Sequence, residues 1–268
     1  MSQNDLIPLL RHPLEQPSAF TPEALTEAVR GERKQETSAV PEVCLLDFDG
    51  DITDWLAASG QAARWHAWAC FHTPMYALRV DEETFGVIPR TIGGPFAVLV
   101  AEQLLASGAR VILGLTSAGR VCPSLPLPSF VIPTRALRDE GTSYHYMAPG
   151  AFAEASPGVA EALHAELRLL GRPVSLGPVW TTDAPYRETH EQLLRHAEAG
   201  ILAVEMQAAS LFAFSTARGL PVGVVAQVTN AVQDSGNSFD KGSHTDEFRL
   251  IQAMCRAGMR YVRPASAP

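Results

Sequence analysis

The chain has 268 residues, 46% of them apolar, and a formal charge of −8. This length and apolar share suit one large α/β domain, and the acidic balance argues against general nucleic-acid binding, which relies on basic patches. No apolar run approaches the roughly 18 residues of a membrane span. The first ten residues, with Asp5 and Pro8, lack a basic start and a long apolar stretch, so no signal peptide and a cytoplasmic location are expected. Of 21 cationic residues only Lys34 and Lys241 are lysines, which leaves anion recognition to arginine. Cys44, Cys70, Cys122 and Cys255 are scattered without a C-x-x-C pair and read as reduced thiols.

In chain order, residues 1–41 form an N-terminal arm with a helix from Pro22 to Arg33, capped by Thr21 with proline in its first turn. The expected domain, 42–268, opens with strand-length apolar runs at Val43–Phe48, Thr84–Ile92, Arg110–Leu115, Ser129–Thr134, Val174–Trp180 and Pro221–Val228. Several are apolar on consecutive residues, as strands covered on both faces are. Helical patterns lie at Pro95–Ser107, Gly158–Leu170, Glu191–Glu198, Glu205–Arg218 and Thr245–Met259. The alternation predicts a single α/β domain with a central mixed β-sheet flanked by helices.

Ligand sites in such sheets lie at the carboxyl ends of strands. Four strand ends carry polar or glycine-rich tails: Asp47-Phe48-Asp49-Gly50-Asp51, Thr116-Ser117-Ala118-Gly119, Thr181 to Arg187, and Thr229-Asn230. Adjacent strands would bring these tails to one cleft. Glu205 offers a carboxylate, Met206 a soft apolar surface, and Asn230 both a donor and an acceptor. Ser117 can donate to an anion. Each also has a structural use: an acid at a helix start, core packing, and strand-end turns. His12 and His145 read as structural or exposed.

The segment Ala203-Val204-Glu205-Met206-Gln207-Ala208-Ala209 resembles the V-E-M-E-A-A motif of the nucleoside phosphorylase superfamily. Thr91-Ile92-Gly93-Gly94-Pro95 through Thr116-Ser117-Ala118-Gly119 resembles its T-G-I-G-G-P…G-S-A-G stretch. Arg138-Asp139-Glu140-Gly141-Thr142-Ser143 with His145 is similar to the R-x-D-G-x-S-x-H turn of uridine phosphorylases, and Thr182 to Tyr186 to the S-x-D-x-F-Y segment near the base. Four ordered matches are far more specific than one. The resemblance implies Asn230 and Glu205 as catalytic residues, with Met206, Gln207, Pro185, Tyr186 and Thr229 against sugar and base. It implies Gly50, Ser117 and Arg187 toward phosphate, no metal or organic cofactor, and a homodimer or a hexamer of three dimers. The Thr229-Asn230 pair resembles that of phosphorylases preferring 6-oxopurines.

Three positions depart from the family pattern. Gly114 stands for the arginine three residues before Ser117, Asp54 for the arginine of the early G-D-P-x-R motif, and Gln207 for the ribose-binding glutamate. The expectation is phosphorolysis of a nucleoside, with hydrolysis by water as the alternative, where Asp49 or Asp51 would activate the water. A non-catalytic nucleoside-binding protein is a further alternative. So is a haloacid dehalogenase-type phosphatase, suggested by Asp47-Phe48-Asp49-Gly50 after a strand.

Overall fold

The computed structural model describes residues 7–231 and 243–264. Helix α1 (Pro22–Arg33) matches its expected span; Thr21 Oγ1 accepts from the Ala24 amide at 3.2 Å, and Lys34 ends the helix in the left-handed region. The remaining helices are α2 (Asp51–Ala58), α3 (Gly94–Ala106), α4 (Pro157–Leu167), α5 (His190–Glu198), α6 (Ala208–Arg218) and α7 (His244–Val262). The strands are β1 (Val43–Asp47), β2 (Ala62–Arg64), β3 (Tyr76–Val80), β4 (Glu83–Pro89), β5 (Val111–Arg120), β6 (Ser129–Asp139), β7 (Phe152–Glu154), β8 (Val174–Thr182), β9 (Ala203–Glu205) and β10 (Val222–Ala231).

The mixed sheet is open at one end and closed at the other. Strand β5 pairs with β1 over Val111–Leu115 and, once β1 has ended, with β9 at Gly119 and Arg120. Along its other edge it runs parallel to β10. Since β10 also pairs β6, β6 pairs β8 and β8 pairs β9, the five strands form a ring. Strands β1, β4, β3 and β2 extend outward from β5. Ring closure removes free strand edges just where the expected cleft lies.

Helices α3 and α6 cover one face, with α1 outside α3; α2, α4 and α7 cover the other. The near-continuous apolar strands follow from this double cover, and β1 is buried along its whole length. Close approach needs small residues at two points. A Cβ on Gly223 would meet Val159 Cγ1 at 2.5 Å where α4 crosses β10, and one on Gly258 would meet Val43 Cγ1 at 2.6 Å where α7 crosses β1. A methyl group at either point would push a helix off the sheet, and overpacking of this kind costs about 1–3 kcal/mol.

The Glu205–Arg218 helical segment needs correction. Residues Ala203–Glu205 form β9, and the helix begins only at Ala208 with Gln207 as its N-cap. The break has an electrostatic cause. Glu205, at the strand end, turns its carboxylate back onto the helix start, so the acid serves the helix from outside it.

Candidate active site

The ends of β5, β9 and β10 surround a cavity of about 360 Å³, lined by Ser117, Ala118, Gly119, Val204, Glu205, Met206 and Asn230, with Pro185, Tyr186 and Glu188 across the mouth. Gly119 lies at its floor between two strands, paired to Asn230 on β10 and to Val204 on β9. The register of β10 against β5 shifts between Val228 and Asn230. Val228 faces the core, and this bulge presents Asn230 to the cavity instead. The Thr229 hydroxyl lies 3.4 Å from Asn230 Oδ1 and helps hold the amide.

Glu205 is buried and fully bonded. One carboxylate oxygen accepts from Thr181 Oγ1 at 2.5 Å, the other from the Gln207 and Ala208 amides at 2.7 and 2.9 Å. Burial pushes its pKa up to about 7 even though these three bonds pull it down. Thr181 Oγ1 also accepts from the Ala209 amide, so β8, β9 and α6 are tied at one point. That knot fixes the backbone of Met206, which lines the cavity. Gln207 is buried behind it, its amide oxygen accepting from Thr116 Oγ1 at 3.3 Å and from the Met206 amide at 3.2 Å. It is not among the lining side chains.

The mouth is a turn pinned at both ends. Asp183 accepts from the Gly141 amide at 2.9 Å. At the other end Thr189 and Gln192 form a capping box on α5. Between them Pro185–Arg187 makes one 3-10 turn. Glu188 follows, half-buried against the cavity, and burial raises its pKa to about 7. Sequence reasoning missed Glu188; its only signal is an acid just before the Thr-x-x-Gln cap. Tyr186 is fully exposed at the rim, and Arg187 is exposed in the same turn, outside the lining.

The β1–α2 turn lies beside the end of β5 and contributes no residue to the cavity lining. Asp47 is buried, and its carboxylate accepts from the Gly50 amide at 3.0 Å and from the amide and hydroxyl of Thr53 at 3.0 and 2.6 Å. These bonds build the turn and use both oxygens, which removes the aspartate a phosphatase would need as nucleophile. Gly50 caps α2 at φ +89°, where a side chain is disfavoured. Asp49 Oδ2 accepts from the Ser117 amide at 3.3 Å, linking this turn to the end of β5. Arg90, itself at φ +58°, forms an ion pair with Asp54 across Gly50. A Cβ on Gly114 would lie 2.7 Å from the Phe48 ring, so no side chain fits there. Among the described residues, no Lys, Arg or His lines the cavity. None of their His, Cys, Asp and Glu side chains group in threes or more to hold a metal.

The His12 and His145 rings meet in a tilted arrangement with centroids 3.7 Å apart, and neither lines this cavity. No helix among the described residues is long and apolar enough to cross a membrane.

A mixed sheet with helices on both faces and a strand-end cleft carrying Glu-Met and Asn define the class. The family model described as the phosphorylase superfamily matches residues 68–259, and the chain belongs to that family. It is 28% identical over 156 residues to a guanosine phosphorylase of Halorubrum lacusprofundi, covering 58% of this chain and 64% of that protein. It is 27% identical to a uridine phosphorylase of Escherichia coli over 51% of this chain and 60% of that one. With a uridine phosphorylase of Treponema pallidum the identity is 31%, over 57% and 64%. These matches span just under two thirds of the relatives' own lengths.

Proposed function

We propose that this protein cleaves the N-glycosidic bond of a nucleoside, with 6-oxopurine nucleosides ahead of adenosine and uridine. The observation that carries this reading is the cavity itself, with Asn230 on its floor, Met206 on its wall and Glu188 at its mouth. An asparagine amide can pair with N7 and the 6-oxo group of a purine. Across from it, an ionised Glu188 is an acceptor for the ring N–H of such a base and the exocyclic amine of guanine. Uracil has a ring N–H but no N7 to pair with the amide, and adenine has no ring N–H on that edge. Met206 packs beneath the sugar. Glu205 supports the site by fixing the strand-to-helix junction, a positioning role, since its oxygens are occupied by protein donors.

The named phosphorylases among the relatives support phosphate as the acceptor, with a pentose 1-phosphate as product. A second reading, hydrolysis, is favoured by the acids and the glycine at the anion-binding positions. Incubation of the protein with inosine, guanosine, adenosine and uridine, with and without phosphate, tests the reaction. Release of free base from inosine or guanosine is expected, and preferential cleavage of uridine would overturn the base assignment. Ligand-induced stabilisation without any turnover would reduce the protein to a binder. We also infer a homo-oligomer, because Tyr186 is wholly exposed at the cavity rim, where a second copy would cover it; a monomer by light scattering would remove that inference.

A further inference from the structure

We propose that Asp183 is a positioning residue for base recognition: by holding the Gly141 amide it sets where the Glu188 carboxyl at the mouth stands relative to Asn230 on the floor. The proposal rests on the reading that a nucleobase lies between those two groups. Asp183 is not itself among the lining side chains, so it acts through the turn that carries Glu188.

The mouth turn is shaped locally but placed from a distance. Its own bonds, from the Arg187 amide to the Ala184 carbonyl at 2.8 Å and from the Ala184 amide to Thr182 Oγ1 at 3.2 Å, fix its curvature. They do not fix where it stands against the floor. Tyr186 is wholly exposed, so its side chain gives the tip no seat. Placement comes from the two ends. After the turn, α5 leans through Leu193 on Val121, Trp180, Ile201 and Val204. Before it, Asp183 reaches across to the Gly141 amide, just beyond the end of β6.

Gly141 is a firm anchor. The neighbouring Glu140 is buried, and its carboxylate accepts from the Ser143 amide at 3.0 Å and from the Ser210 hydroxyl at 2.5 Å. Arg138 Nε in turn donates to Ser143 Oγ at 2.8 Å. Ser210 lies in the first turn of α6, the helix that starts just after Met206 and the Glu205 knot. The start of α3 presses on it too, since Gly94 leaves no room for a side chain against Ser210 Oγ. The contacts from Asp183 through Gly141 and Glu140 to Ser210 therefore refer the mouth to the same helix that holds Met206. Of these contacts, the one made by Asp183 is exposed and can be broken without emptying a buried network.

Asp183→Ala removes the acceptor, whereas Asp183→Asn keeps an amide oxygen in its place. In Asp183→Ala, amide exchange across residues 184–188 should rise by about tenfold or more, as in a locally opened turn. The KM for guanosine should rise about tenfold with kcat retained, the pattern of lost ground-state binding. Adenosine offers Glu188 no ring N–H and should keep its KM, so the preference for guanosine narrows. Asp183→Asn should restore both readings. Circular dichroism checks folding, and Asp183→Ser, too short to reach Gly141, replaces the alanine variant if that one is not folded. Unchanged exchange in the folded variant, an equal loss for guanosine and adenosine, or no rescue by asparagine would overturn the proposal. Faster exchange in Asp183→Ala, with no base release from any nucleoside by the wild type, would uphold the tether and count against the nucleoside reading alone.

Discussion

The strand ends that line the cavity and the turn beside them differ in how they treat charge. On the β8–β9–β10 side, Glu205 is bonded within its own wall and holds the local backbone, and the cavity is faced by the uncharged Asn230 and Met206 with the Glu188 carboxyl at the mouth. On the β1–β5 side, the acids of the strand-end turn reach toward the donors of other segments, Asp49 to Ser117 and Asp54 to Arg90. The first wall is built to meet a neutral ligand with fixed dipoles. The second has donors that its own acids already engage. One set of strand ends therefore carries two different treatments of charge side by side.

The sharpest break of this comparison is Glu205→Ala. It would leave the Thr181 hydroxyl and the Gln207 and Ala208 amides without their acceptor in a buried place. Unfolding stability should drop by about 2–3 kcal/mol, since each orphaned buried polar group costs about 1–3 kcal/mol. Base release should fall with it. Denaturant unfolding beside the kinetics would detect both, and undiminished stability would mean that the knot is not structural.

Next in size is Asn230→Ala, where inosine cleavage should lose about 1–3 kcal/mol of transition-state binding with little change in stability. Asn230→Asp should move the balance toward adenosine. Equal kcat/KM in wild type and Asn230→Ala would remove the amide from the base.

Glu188 gives a pH-dependent test. Its folded pKa of about 7 lies above the ordinary carboxylate value, so the folded state holds the proton more tightly than the unfolded chain. That contribution to stability is present below pH 4.5 and is lost as pH rises through about 7. Guanosine binding should behave in the opposite sense, tightening as the carboxylate ionises. In Glu188→Gln both dependences should flatten, which melting and binding at several pH values would reveal. Unaltered pH profiles in that variant would assign the titration to another group, Glu205 first.

The smallest effect belongs to the exposed Arg90–Asp54 pair. Asp54→Asn should alter unfolding stability by no more than about 1 kcal/mol, as surface ion pairs do. A larger loss would make the pair a structural clasp.

Much of this was legible in the sequence, for local reasons. Six strands announced themselves as apolar runs, and α1, α3, α4, α5 and α7 begin within a residue of their expected starts. Ser117, Pro185, Tyr186 and Asn230, from three of the four strand-end tails, line one cavity with Glu205 and Met206, while the Asp47–Asp51 tail contributes no lining residue. What was hidden depends on long-range pairing. β9 has three residues, too few for a periodic signal, and ring closure depends on β5 meeting strands that lie far away in the chain. α2 was masked because its acidic first turn overlaps the strand-end tail. No pattern marked the burial of Glu188 or the reach of Asp49 to Ser117, because both arise from how separate turns meet.

The contact of Phe48 with Gly114 bears on reversibility. Restoring an arginine at residue 114 in this background would drive its first carbon into an aromatic ring that is itself buried in the core. Trimming Phe48 alone would open a cavity, a change costing about 3–5 kcal/mol for Phe→Ala in a core. Neither single step is neutral, so a lineage carrying this pair is held by a ratchet. Return to an arginine-bearing cleft requires two changes together, and selection acting on one residue at a time meets a valley on either path.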